Sequence, residues 1–205
     1  MTDYKVIDNF LPSDVFDPLH AALLLPHLAG NFGAGYPQWR YTPNVNKMKE
    51  MEHLLGNDPN NNCSQEQVEQ ATIDLKNIIT KEGNDWRLFY FIHMVYDYTI
   101  LSPFYEVIKP YRKPFDIKAL IRIKINMYPN AETLKEHGMH YDYDYSHKAA
   151  ILSINTCDGY TKLEDGQTKI DSVANRMLLF DGQTLHTSSN TTDQTARINI
   201  NFNYF

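Results

Sequence analysis

Cysteine is almost missing from this chain. Cys63 and Cys157 are the only two in 205 residues, and they stand far apart with no Cys-x-x-Cys pairing. That excludes a disulfide scaffold and a thiolate zinc site, and it fits a reducing, cytoplasmic compartment. Long apolar runs are missing too: no stretch approaches the length needed to cross a bilayer. The start, Met1-Thr2-Asp3-Tyr4-Lys5, has neither the basic opening nor the apolar stretch of a signal peptide. Basic tracts are also lacking, and the formal charge is −6. A duplex-binding surface needs clustered cations to neutralise phosphates, so nucleic acid is a poor partner for this composition.

What remains is 42% hydrophobic, enough for one globular domain with a core. No repeat or low-complexity linker divides it, so we expect a single domain over 1–205. Its two parts differ in character: residues to about 112 mix helices and loops, and those from about 115 onward read as short strands and turns.

Helical spacing with a serine cap predicts a helix over Ser13 to Leu25. Gly30 to Gly35 reads as a loop, and Trp39-Arg40-Tyr41 as a short strand. Asn57 to Asn62 reads as a turn-rich linker. The capping box Ser64-Gln-Glu-Gln67 predicts a helix to about Lys81. Trp86 to Tyr96 reads as a long strand, and Ser102 to Tyr111 as a short helix. Strict alternation from Ile117 to Tyr128 is a strong strand signal. Further strands are expected at about Lys148–Asn155, Tyr160–Leu163, Thr168–Ile170, Arg176–Phe180, Leu185–Ser188 and Arg197–Tyr204, with a hairpin turn at Glu164-Asp165-Gly166. Many short strands with regular turns suggest a sandwich or barrel, a jelly roll among them.

Against that background one ordered set stands out: His140-Tyr-Asp142, then His186, then Arg197. Two imidazoles and one carboxylate are the ligand set of a facial iron triad with open positions for an acid and O2. His140 and Asp142 are two apart, so an extended segment would present both on one face. His137, Asp144 and His147 lie in the same segment, either as alternative ligands or as solvated loop residues. Arg197 could hold the far carboxylate of a bidentate acid through its charged fork. It opens a strand in which Arg197, Asn199, Asn201 and Asn203 share one face. That face either meets solvent on an edge strand or lines a barrel with polar partners.

Residues from about 117 onward resemble the iron(II)- and 2-oxoglutarate-dependent oxygenases, in particular the prolyl-4-hydroxylase-like branch. The resemblance rests on Met127-Tyr-Pro-Asn130, His140-x-Asp142, Leu152-Ser-Ile-Asn155, Gly159 to Gly166, Arg176 to Phe180, His186 and Arg197. The opening Tyr4 to Pro12 is also similar to the start of such proteins. The resemblance implies a mainly β fold with supporting helices, a double-stranded β-helix (jelly roll, cupin-like). It implies that His140, Asp142 and His186 hold Fe(II) and that Arg197 binds 2-oxoglutarate. Tyr128 and Asn199 are implied cosubstrate contacts. Ser153 falls where some prolyl hydroxylases carry a tyrosine. The implied reaction decarboxylates 2-oxoglutarate to succinate and CO2 and hydroxylates a substrate, with ascorbate as a candidate reductant. A peptidyl proline and a small molecule or amino acid are the leading substrates. Tyr143, beside the ligands, is the first substrate-contact candidate, followed by Trp39, Arg40, Tyr145 and Arg122. Two alternatives stand beside this reading: a nucleic-acid demethylase of the same superfamily, and a non-catalytic metal- or ligand-binding β-barrel.

Overall fold

A computed structural model describes residues 3–24, 39–42, 89–112, 117–164 and 167–205. The expected Gly30–Gly35 loop, the Asn57–Asn62 linker, the helix after Ser64 and the Asp165-Gly166 turn lie outside these residues.

Among the described residues, ten strands and two short helices follow one another as β1 (Tyr4–Ile7), α1 (Ser13–Leu24), β2 (Arg40–Thr42), β3 (Tyr90–Asp97), α2 (Tyr105–Ile108), β4 (Leu120–Pro129), β5 (Lys148–Ser153), β6 (Tyr160–Leu163), β7 (Lys169–Asp171), β8 (Arg176–Asp181), β9 (His186–Ser188) and β10 (Ala196–Tyr204). The strands from Lys148 onward fall within two residues of the positions that alternation predicts. The helix expected over Ser102 to Tyr111 is shorter: α2 passes at Lys109 into a tight 3-10 turn. Pro110 has no amide hydrogen to continue the α-helical ladder there.

Seven strands form an antiparallel sheet in the order β1-β8-β5-β10-β4-β3-β2, and three form a smaller sheet, β7-β6-β9. Residues 136–140 extend the smaller sheet beyond β9, with Glu136 bridged to Ser189 and His140 to His186. From β4 onward the chain alternates between the two sheets: β4 large, 136–140 small, β5 large, β6 and β7 small, β8 large, β9 small, β10 large. That winding is a jelly roll, the double-stranded β-helix.

The alternation of β4 and β10 sets the two faces of the large sheet. Ile121, Ile123, Ile125, Ile198, Ile200 and Phe202 are all buried. All but Ile121 join one core cluster with Phe16 and Leu19 of α1 and Ile108 of α2. Each such side chain contributes about 1.5–3 kcal/mol by leaving water. The opposite face of β10 turns inward. Arg197, Asn199, Asn201 and Asn203 are buried polar residues on a central strand, so the wet edge-strand alternative does not hold. Register places these four opposite Tyr128, Asn126, Lys124 and Arg122 of β4. One end of the interior is closed by apolar packing of Ala149, Ile151, Leu163, Ile170, Leu178 and Phe180.

β1 pairs with β8 along the far edge of the large sheet. Asn175 ties this N-terminal segment down: its Oδ1 accepts from the Leu11 amide at 2.9 Å and its Nδ2 donates to the Leu11 carbonyl at 2.8 Å. It does so with φ 61°, a left-handed conformation that asparagine tolerates better than most residues.

Candidate metal and acid site

His140 and His186 sit on neighbouring strands and exchange both backbone hydrogen bonds, at 3.0 and 2.8 Å. That pairing sets their rings 4.6 Å apart, centroid to centroid. Each Nδ1 faces a carbonyl two residues back, Gly138 for His140 (3.1 Å) and Thr184 for His186 (3.0 Å). With Nδ1–H donated to a carbonyl, the lone pair of each ring resides on Nε2, the tautomer a metal needs. Asp142 completes the group: one ligand atom from each of the three residues lies within 4.8 Å of the others. Of the alternatives in the same segment, His147 turns its Nε2 to Asn203 (3.1 Å) and packs closely against Gly182. His137 is buried elsewhere, and Asp144 does not join the cluster.

The Asp142 carboxylate is gripped from the large sheet. Arg122 pairs with Oδ1 at 2.6 Å, and Asn203 donates from Nδ2 to Oδ2 at 3.0 Å. Arg122 and Asn203 are direct partners across β4 and β10, and a further bond, Arg122 Nε to Asn203 Oδ1 at 3.2 Å, ties them together. Burial pushes the Asp142 carboxyl up, but the cations Arg122 and Lys124 outweigh it and hold the group well below its usual value. Each carboxylate oxygen has two lone pairs, so these bonds leave room for a metal.

Burial depresses the histidines. His137 is brought down to about 4, with Arg197 adding to the effect; His140 falls to about 3, with His186 adding; His186 is lowered by burial as well. An unfolded chain takes up protons at these sites near pH 6.5, whereas the folded chain resists until near pH 4 and 3. Their contribution to stability is therefore complete above pH 6.5 and is lost as pH falls below it, by about 1.4 kcal/mol per pH unit and group. Denaturant midpoints of metal-free protein should fall steadily from pH 7 to pH 5; a flat profile would mean that these rings are solvated.

A second polar cluster lies at the other end of the β4–β10 pair. Arg197 is 1% exposed. Its Nη1 donates to the Ser189 carbonyl and its Nη2 to Thr161 Oγ1, both at 3.0 Å, and its Nε has no partner. Its guanidinium carbon stands 5.3 Å from the centre of the Tyr128 ring. None of these partners is a carboxylate, so the guanidinium is a buried charge without a counter-charge among the described residues. Asn155 brackets it along the chain, donating to the Ala196 carbonyl and accepting from the Ile198 amide. Gly159 makes room for its stem, since a Cβ there would lie 2.6 Å from Arg197 Cδ and 2.5 Å from the Asn190 carbonyl. Asn199 is the in-register neighbour of both Asn126 and Ser153, and its Nδ2 is unpaired; its Oδ1 accepts from Asn126 at 2.8 Å.

The structure thus brings together His140, Asp142 and His186, and separately Arg197, Tyr128, Asn199 and Ser153 around the inward face of β10. Arg122 lies at the metal end and is engaged by Asp142. Tyr143 lies there too, its ring 5.1 Å from the Arg122 guanidinium and stacked on Tyr145. Trp39 does not join them: it packs edge-on to His93 and against the helical core on the other face of the sheet. The Arg40 side chain lies outside the described residues. Sequence reasoning placed Asn203 on the Arg197 face without giving it a role, left His137 as an alternative ligand or a loop residue, and did not single out Tyr90. For Asn203 the signal existed, because it shares the Arg197 face.

The chain matches no family model and no curated protein sequence. Solved structures to which the chain is similar include prolyl hydroxylases and a 2-oxoglutarate and iron(II) oxygenase. A viral collagen prolyl hydroxylase from Paramecium bursaria Chlorella virus-1 is 12% identical, with a TM-score of 0.45 over 98% of this chain and 94% of that one. A prolyl hydroxylase from Trichoplax adhaerens, solved with a hypoxia inducible factor peptide, is 15% identical, with a TM-score of 0.48 over 100% and 84%. A Pseudomonas putida prolyl-4-hydroxylase is 11% identical, with a TM-score of 0.44 over 100% and 93%. Likenesses this distant say nothing about activity or substrate. No helix among the described residues is long and apolar enough to cross a membrane.

Proposed function

We propose that the chain is an iron(II)- and 2-oxoglutarate-dependent dioxygenase that hydroxylates a peptide or small molecule. The observation that carries the reading is the convergence of His140, Asp142 and His186 within 4.8 Å, with both histidines held in the ligating tautomer. The donor set of two imidazoles and one carboxylate suits ferrous iron and leaves positions open. The buried, uncompensated Arg197 charge beside unpaired Asn199 Nδ2 calls for an anion of carboxylate kind. When bound, iron and 2-oxoglutarate would supply the oxidising chemistry with O2 as the oxidant, one of its oxygen atoms going to succinate as CO2 leaves and the other to the hydroxylated substrate.

The residues have separable tasks. His140, Asp142 and His186 hold the ion. Arg122 and Asn203 orient Asp142 and keep it ionised. Arg197, helped by Tyr128 and Asn199, takes the distal carboxylate of the acid, with Ser153 facing the same pocket. Tyr143, half-buried beside the ligands, faces substrate. Peptidyl prolines are the first substrates to screen, with free amino acids beside them.

An anaerobic titration with Fe(II), then 2-oxoglutarate, tests this directly. A visible charge-transfer band should appear only when both are present, and His186→Ala should abolish it. Folded protein that gives no band would instead be a binding barrel.

A further inference from the structure

His137 lies beside Tyr128 and within electrostatic reach of Arg197, although it lies outside the metal cluster. The residue is 4% exposed, and neither of its ring nitrogens has a hydrogen-bond partner. A buried imidazole with two unpaired nitrogens costs free energy unless a ligand satisfies one of them. Its position is fixed from three sides. Its amide donates to the Ser188 carbonyl at 2.8 Å, and the Thr187 hydroxyl donates to its own carbonyl. Its ring meets Tyr128 at 5.2 Å and stands edge-on to Tyr90 at 5.4 Å, centroid to centroid. Tyr128 is the ring that also faces Arg197. Arg197 in turn donates to the carbonyl of Ser189, the residue after the one that holds His137. Guanidinium and imidazole are thus fastened to adjacent peptides and flank one tyrosine.

We propose that His137 is a cosubstrate-binding residue that donates a ring N–H to the carboxylate held by Arg197. The proposal rests on the oxygenase reading above and names a specificity determinant within it. The ring is neutral at physiological pH, because burial and the neighbouring guanidinium both oppose a second proton. The pocket therefore offers one full positive charge plus neutral donors. That matches a singly charged carboxylate and disfavours a doubly charged phosphate.

The test uses His137→Phe, which keeps the aromatic packing and drops both nitrogens, and His137→Gln, which restores a donor. Anaerobic, Fe(II)-loaded protein is titrated with 2-oxoglutarate. The dissociation constant should rise about ten-fold or more in the Phe variant, the scale of one hydrogen bond to a charged group. The Gln variant should recover part of that loss, and Fe(II) affinity should stay unchanged in both. In parallel, the His137 imidazole 15N signals of Zn(II)-loaded wild type should shift when 2-oxoglutarate is added; this readout decides the matter if the Phe variant does not fold. Unmoved signals, or a Phe variant that titrates like wild type, would overturn the role of His137 and leave the oxygenase reading intact. Wild type that binds iron but no 2-oxoglutarate would overturn both.

Discussion

Asp142→Ala is expected to destabilise the metal-free protein by about 3–5 kcal/mol as well as to abolish iron binding. A ligand exposed at a site mouth would cost little when removed from the metal-free fold. Asp142 differs because Arg122 is buried with it, paired at 2.6 Å. Without the carboxylate, the guanidinium keeps the Asn203 amide, the Tyr143 ring and the weaker pull of Asp97, its cross-strand neighbour on β3. Burial opposes the Arg122 charge, and it is mainly Asp142 that outweighs the penalty, raising its pKa above the ordinary value. Adding Arg122→Met to the Ala variant should restore much of the stability but none of the iron binding. Chemical denaturation of the three proteins, read beside the Fe(II) titration, checks both halves. Equal midpoints for wild type and Asp142→Ala would show that the ion pair contributes nothing to the fold.

Arg197→Met should move stability and ligand binding in opposite directions. The guanidinium is among the largest fully buried side chains, and none of the groups that bond to it is a carboxylate. Burial works against its charge. Replacing a buried ionic group by an apolar one of similar volume is often neutral or stabilising, even with a carbonyl and a hydroxyl losing their donor. The thermal midpoint of the variant without ligand should therefore equal or exceed that of wild type. Its affinity for 2-oxoglutarate should drop by the 1.5–3 kcal/mol of a charged hydrogen-bonded pair, about 10- to 150-fold. A variant that unfolds readily would mark Arg197 as a structural residue.

Much of this was readable from alternation. Ile198, Ile200 and Phe202 against Arg197, Asn199, Asn201 and Asn203 carry a period of two that separates helix-facing from interior positions. The metal ligands were readable from type and order, since His140 and Asp142 share a segment. Other features depend on contacts remote in sequence. Tyr4–Ile7 is mostly exposed and has no apolar alternation, so only its pairing with β8 makes it a strand. His137 is fixed by a carbonyl about fifty residues later, at Ser188, and nothing local distinguishes it from a loop histidine. Trp39 packs on the helix-covered face of the sheet, which composition could not reveal.

The two-faced pattern of β10 also acts as a proofreading step in assembly. A slip of one residue against β4 and β5 would turn Arg197 and three asparagines toward Leu19 and Phe16, and send Ile198, Ile200 and Phe202 into the polar interior. Each amide stranded among those apolar side chains would cost about 1–3 kcal/mol, and the guanidinium more. Misregistered chains are thus penalised by the same side chains that make the interior polar. A molecule that has closed its sheet correctly has, in that act, built both ends of its site.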